Sequence, residues 1–152
     1  MRHGKAWTLA LALLLLGGCA GTRGRGPGVP LITEEEAAMP DAPEERDRQV
    51  CGPPEIQIRS PLNGRTYPPP VPVEVRFIPS SGARIDPSTI RIGLIKLGMK
   101  IDLTERAHEY ISASGISLPR AEIPTGRYRV QVTVGDSSGR KCSETVQFTV
   151  AP

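Results

Sequence analysis

The sequence predicts an all-β domain, an antiparallel sandwich of about seven short strands filling residues 51–152. Two observations predict it. Past Cys51 the apolar residues recur with a period of two, the pattern of strands with one buried and one wet face. Turn chemistry then interrupts these runs at short intervals, and no segment carries a sustained helical stripe.

The strands follow in order. Ile56 and Ile58 alternate with Glu55, Gln57 and Arg59, and Val71, Val73, Val75 and Phe77 alternate with Pro72, Glu74 and Arg76. Pro72 cannot donate to a ladder, which puts that end of its strand at a sheet edge or a strand start. Ile90, Ile92 and Leu94 make a middle strand, and residues 101–103 and 110–118 supply weaker ones. Tyr128, Val130, Val132 and Val134 alternate with Arg129, Gln131 and Thr133, and Val146, Phe148 and Val150 form the last strand. Between them lie Pro61-Leu62-Asn63-Gly64, Ser80-Ser81-Gly82, Asp86-Pro87-Ser88, Pro124-Thr125-Gly126 and Asp136-Ser137-Ser138-Gly139, all rich in turn-forming residues. Pro68-Pro69-Pro70 reads as an extended connection between strands.

Gly126-Arg127-Tyr128-Arg129-Val130-Gln131-Val132-Thr133-Val134, with Asp136, Gly139 and Phe148-Thr149-Val150, resembles the last two strands of bacterial immunoglobulin-like domains. Ile85-Asp86-Pro87-Ser88-Thr89-Ile90 is similar to the entry to a middle strand of the same domains, which are of the cadherin and fibronectin-III kind. The resemblance covers residues 55–150 and implies an immunoglobulin-like β-sandwich. It also implies a tyrosine-corner role for Tyr128, whose hydroxyl would bond back to the chain upstream. In such a fold the first strand begins, and the last leaves its hairpin, at one pole. Cys51 and Cys142 would then lie side by side as a disulfide, permitted in an exported protein, with two buried or unpaired thiols as the other reading.

The third cysteine has a different setting. Arg2 and Lys5 precede an apolar stretch over residues 6–16, which leads into Leu16-Gly17-Gly18-Cys19. A basic start, an apolar run and a small-residue cleavage site make a secretion signal. Eleven helical residues span about 16 Å, too short for a hydrocarbon core of about 30 Å. With Cys19 directly after the small pair, the layout resembles bacterial lipoprotein signals. The resemblance implies a signal peptide over 1–18 and lipid on Cys19, hence membrane attachment. Ala20, in place of Asp, implies the outer membrane, with the domain facing the periplasm of the cell envelope. An ordinary signal with an incidental cysteine and an uncleaved anchor are the alternatives.

Residues 19–50 read as the lipidated cysteine and a disordered Gly/Pro/acidic tether. Residues 20–50 carry a net charge of −3 and show almost no apolar periodicity. Thr33 before Glu34-Glu35-Glu36 could cap one short turn, which Pro40 and Pro43 would end.

The chemistry of an enzyme is missing from this pattern. His108 is the only histidine of the domain, and Asp102, His108 and Ser112 or Ser114 lack a nucleophile turn. Asp86, Asp102 and Asp136 belong to no dense acidic motif, so no metal and no other cofactor is expected. Residues 51–152 carry +4, spread along the chain without interleaved aromatics, which argues against nucleic acid. Arg91, Arg127 and Arg129 fall on one outward face and form a candidate binding face. The expected activity is binding of an envelope protein or glycan; the alternative is a structural spacer or accessory subunit of an envelope assembly.

Overall fold

The computed structural model describes residues 27–43 and 51–152, so the segment 1–26, with Cys19 and the signal, lies outside the described residues. Among the described residues ten strands form: β1 (Val29–Pro30), β2 (Glu55–Ser60), β3 (Thr66–Tyr67), β4 (Val71–Ile78), β5 (Ile85–Lys96), β6 (Met99–Asp102), β7 (Ile111–Ser112), β8 (Gly115–Glu122), β9 (Gly126–Asp136) and β10 (Lys141–Val150). They divide into two five-stranded sheets. One has the order β1-β8-β4-β2 with β7 beside β8, and the other has β3-β10-β9-β5-β6.

Alternation sets which residues fill the space between the sheets. Val146 pairs with Val130 and Phe148 with Tyr128 across β10 and β9, while Ile92 pairs with Val132 across β5 and β9. From the other sheet come Ile56 opposite Phe77, and Val75 opposite Ile116. The buried set forms one continuous apolar core. Strands β2, β4 and β8 thus make the A-B-E side of an immunoglobulin-like sandwich, and β10, β9, β5 and β6 make the G-F-C-C′ side. After β2 the chain changes sheets, and β3 runs parallel to the end of β10, with Thr66 opposite Thr149.

Two expectations resolve in detail. Pro72 lies in β4, flanked on both sides by β2 and β8, so it marks a strand start rather than an edge. The ladder to β8 shifts register between Val71 and Val73, which removes the need for its missing N–H. The weak strands expected over 101–103 and 110–118 fall largely on β6, β7 and β8, and the chain between them is helical. A single turn α2 (Thr104–Ala107) and a 3₁₀ turn at His108–Tyr110 cross from one sheet to the other. Leu103 and Ala107 are buried there at only 0% and 1% exposure, a spacing too short to read as a stripe.

The larger departure concerns residues 27–43, expected as free tether and instead docked on the sandwich. Parallel pairing of β1 with β8 places Val29 opposite Ala121 and covers an open sheet edge. Leu31 and Ile32 enter the core at 5% and 3% exposure. Helix α1 (Glu34–Ala38) then spans the gap between the sheets, opened by a reciprocal capping box. The Glu36 N–H donates to the Thr33 hydroxyl at 3.2 Å, and the Thr33 N–H donates to the Glu36 carboxylate at 2.9 Å. Finally Asp41 bridges antiparallel to Lys96, and the Leu97 N–H donates to the Pro40 carbonyl at 2.9 Å. This strap defeats periodicity because its grip comes from a sheet edge and from charges that are distant in sequence. The body of the sandwich therefore begins upstream of Cys51.

Candidate binding face

Strand parity puts Arg91, Arg127 and Arg129 on the outward side of the second sheet. Arg127 lies opposite Thr149, Arg129 opposite Gln147, and Arg91 opposite Thr133. They do not form one stripe. Arg91 is level with Thr133, well along β9 from Arg127, and its guanidinium donates to the Ser88 and Ile90 carbonyls at 2.8 and 2.7 Å. Arg129 is only 9% exposed, and it donates to the Pro43 carbonyl at 3.0 Å. The end of the strap covers it, so Arg129 belongs to the strap's seat and not to an open face. Arg127 remains exposed and lines a groove of about 280 Å³ with Asn63, Gln147 and Thr149.

The strap is held by two charge pairs that no local pattern in the sequence announces. Arg106, from α2, grips both Glu36 carboxylate oxygens at 2.6 and 2.7 Å and also donates to the Leu31 carbonyl at 3.0 Å. This bidentate fork holds the Glu36 carboxyl down at about 2, against the opposing pull of burial. Lys96 occupies an inward position of β5 where Ile90, Ile92 and Leu94 precede it, and it is 2% exposed. Its ammonium donates to Asp41 at 2.7 Å and to the Ala37 carbonyl at 3.3 Å, and it stands 5.4 Å from the centre of the Tyr128 ring. Both hydrogen-bond partners lie on the strap.

Tyr128 closes the corner between β8 and β9. Its hydroxyl donates to the Pro124 carbonyl at 2.7 Å, the geometry expected of a tyrosine corner. Burial first, then the nearby Glu34 and Asp41 carboxylates, push the phenol up to about 12. At the opposite pole Cys51 and Cys142 form a disulfide, their Cα atoms 5.4 Å apart and 91 residues apart in sequence.

The acidic residues are engaged in turns. Asp136 accepts from the Ser138 hydroxyl at 2.5 Å, the Ser80 hydroxyl at 2.7 Å, and the backbone N–H groups of Ser138 and Arg140. The Ser138 and Ser80 hydroxyls hold its carboxyl at about 2. Asp86 accepts from Ser88, and Asp102 from the Thr104 N–H; the Ser88 hydroxyl and then its N–H lower Asp86, and the Thr104 side chain and then its N–H lower Asp102. Ser112 bonds to Ser114 at 2.8 Å, Asp102 is engaged by Thr104, and His108 is exposed at the head of its turn. Among the described residues no three His, Cys, Asp or Glu side chains converge on one point. A cavity of about 30 Å³ between the sheets has an apolar lining that includes Leu31, Ile32, Leu118 and Phe148.

No helix among the described residues is long and apolar enough to cross a membrane. No protein-family model matches the chain, and no curated protein does. Among solved structures, that of murine CRIg is similar over 63% of this chain and 96% of its own, at 10% identity and a TM-score of 0.38. The strand order and the tyrosine corner, rather than this likeness, identify the fold as an immunoglobulin-like sandwich.

Proposed function

We propose that this chain is a non-catalytic immunoglobulin-like binding module held at a membrane by lipid on Cys19. In this reading the module sits in the cell envelope on the periplasmic side of an outer membrane. The observation that carries it is the strap. Chain leading from Cys19 joins the sandwich at Val29, ten positions on, by pairing with β8 in one sheet and through Asp41 to Lys96 in the other, while Arg106 of α2 grips Glu36. Ten residues reach at most about 35 Å. The module is then displayed close to its anchor, with the Arg127 groove open on one face. Its partner would be an envelope protein or a glycan offering acceptors to Arg127, Asn63 and Gln147.

In-cell crosslinking from position 127, followed by identification of what is captured, tests this reading. Capture of a discrete envelope protein or glycan, lost in Arg127→Glu and retained in Arg91→Glu, supports it. Crosslinking that is indifferent to Arg127 removes the groove as the binding site. A structural role, as spacer or accessory subunit, draws on the same clamp, because a domain fixed close to its anchor sets a distance.

A further inference from the structure

We propose that the tip of the β5–β6 hairpin is a second membrane contact, seating Leu97 and Met99 at the headgroup and acyl boundary of the bilayer that holds Cys19. This rests on the anchor reading above. Leu62, Leu97 and Met99 are the exposed large apolar side chains among the described residues, at 46%, 57% and 53%. Two of these three share one hairpin tip. There the ladder closes with Lys96 opposite Met99, and Gly98, at φ 75°, completes a two-residue turn with Leu97. Such turns are normally built from polar residues and glycine, so nothing in the turn itself calls for two large apolar side chains.

The strap connects this tip to the anchor. The β5–β9 ladder runs as far as Leu94 opposite Val130, and beyond it the strap takes over as β5's neighbour at Lys96. The Leu97 N–H is bonded to Pro40, so the tip and the strap move as one. The strap's first strand pairs with the end of β8, just before β9 begins, which puts it at the same pole as the tip. The ten residues from Cys19 to Val29, at most about 35 Å, keep that pole near the lipid. The contact is apolar in kind. The Lys100 ammonium beside the tip is turned onto Gln131 at 2.6 Å, so the contact rests on apolar seating and not on attraction to anionic headgroups.

Tryptophan fluorescence tests the proposal on the full chain. Trp7 is the sole tryptophan, so Leu97→Trp in a Trp7→Phe background reports on the tip alone, and Ser81→Trp reports on the opposite pole. The lipidated protein is placed in zwitterionic phosphatidylcholine–phosphatidylethanolamine vesicles with bromine on the acyl chains. The expected result is blue-shifted emission and several-fold stronger quenching for Leu97→Trp than for Ser81→Trp, unchanged by added salt. Vesicle-bound protein with equal, weak quenching at both positions overturns the membrane contact while leaving the anchor intact. Protein that fails to stay with vesicles overturns the anchor instead. In that case quenching of Leu97→Trp on added vesicles still supports the tip, and its absence removes it. A blue shift at Leu97→Trp without lipid, accompanied by dimers, would assign the tip to a second copy and overturn the proposal.

Discussion

Lys96 and Asp41 meet at 2.7 Å, and they join the inside of the sandwich to a segment that looks, by composition, like loose chain. The lysine side chain is 2% exposed and the aspartate 57%, so one partner is locked in the protein and the other could leave into water. If the strap came away, a buried ammonium would lose Asp41 and the Ala37 carbonyl together. The cost of that loss holds residues 27–43 in place.

Removing the partner and removing the charge should therefore have opposite consequences. Asp41→Ala leaves Lys96 with one carbonyl, and a loss of about 1–3 kcal/mol is expected. Lys96→Met replaces the charge by an apolar chain of similar length, and stability should be unchanged or higher. Denaturant midpoints at constant m-value read both. A midpoint for Asp41→Ala equal to that of the parent would mean the pair holds nothing.

Acid should loosen the strap. Glu36 is lowered from 4.5 to about 2, so its contribution is complete above pH 4.5 and is lost as pH falls through about 2. Asp136, lowered from 3.8 to about 2, loses its contribution over an overlapping window at the other pole. Hydrogen exchange separates the two. In the parent, amides of residues 31–38 should gain exchange between pH 4.5 and 2 beyond the intrinsic pH dependence. In Glu36→Gln they should already exchange faster at neutral pH and change little on acidification.

The disulfide should account for a large share of total stability. Its closed loop of 91 residues corresponds to about 4–5 kcal/mol on the chain-entropy model, and replacing both cysteines by serine should cost about 2–5 kcal/mol. Thiol labelling in denaturant should find neither Cys51 nor Cys142 before reduction and both afterwards. Labelling of either without a reductant would contradict the bridge.

Arg127 and Arg129 differ by two positions in the sequence, yet their substitutions should separate cleanly. Arg127→Ala should leave the denaturation midpoint within about 0.5 kcal/mol of the parent, since surface changes away from special features do little. Arg129→Ala removes the contact to Pro43, and it should speed exchange in residues 37–43 and lower stability by about 1–2 kcal/mol. Equal behaviour of the two would mean that the strap does not distinguish them.

What the sequence made legible follows its physics. The alternation of Tyr128, Val130, Val132 and Val134 needs only neighbours two residues apart, so β9 could be read directly. The tyrosine corner came with the family resemblance, whereas the cysteine pair followed from an even count in an exported protein and needed the sandwich only to bring its two members to one pole. The Thr33 cap was readable because its partner, Glu36, lies three residues on. The docking of that cap was not, since its grip depends on Arg106 and Lys96, 70 and 59 residues from their strap partners Glu36 and Ala37. Lys96 follows Ile90, Ile92 and Leu94 at an inward position, and its strap partners Ala37 and Asp41 account for a buried ammonium there. Arg129 kept the parity the alternation assigned, but parity does not report what covers a face.

The central claim is that a clamped immunoglobulin-like module is carried by lipid on Cys19, and the mature N-terminus tests it most directly. Mass spectrometry of the protein isolated from its own cell membranes should find an N-terminal peptide beginning at Cys19, with a mass increment matching acyl chains. An N-terminal peptide that begins elsewhere, or one that carries Cys19 unmodified, would contradict the account.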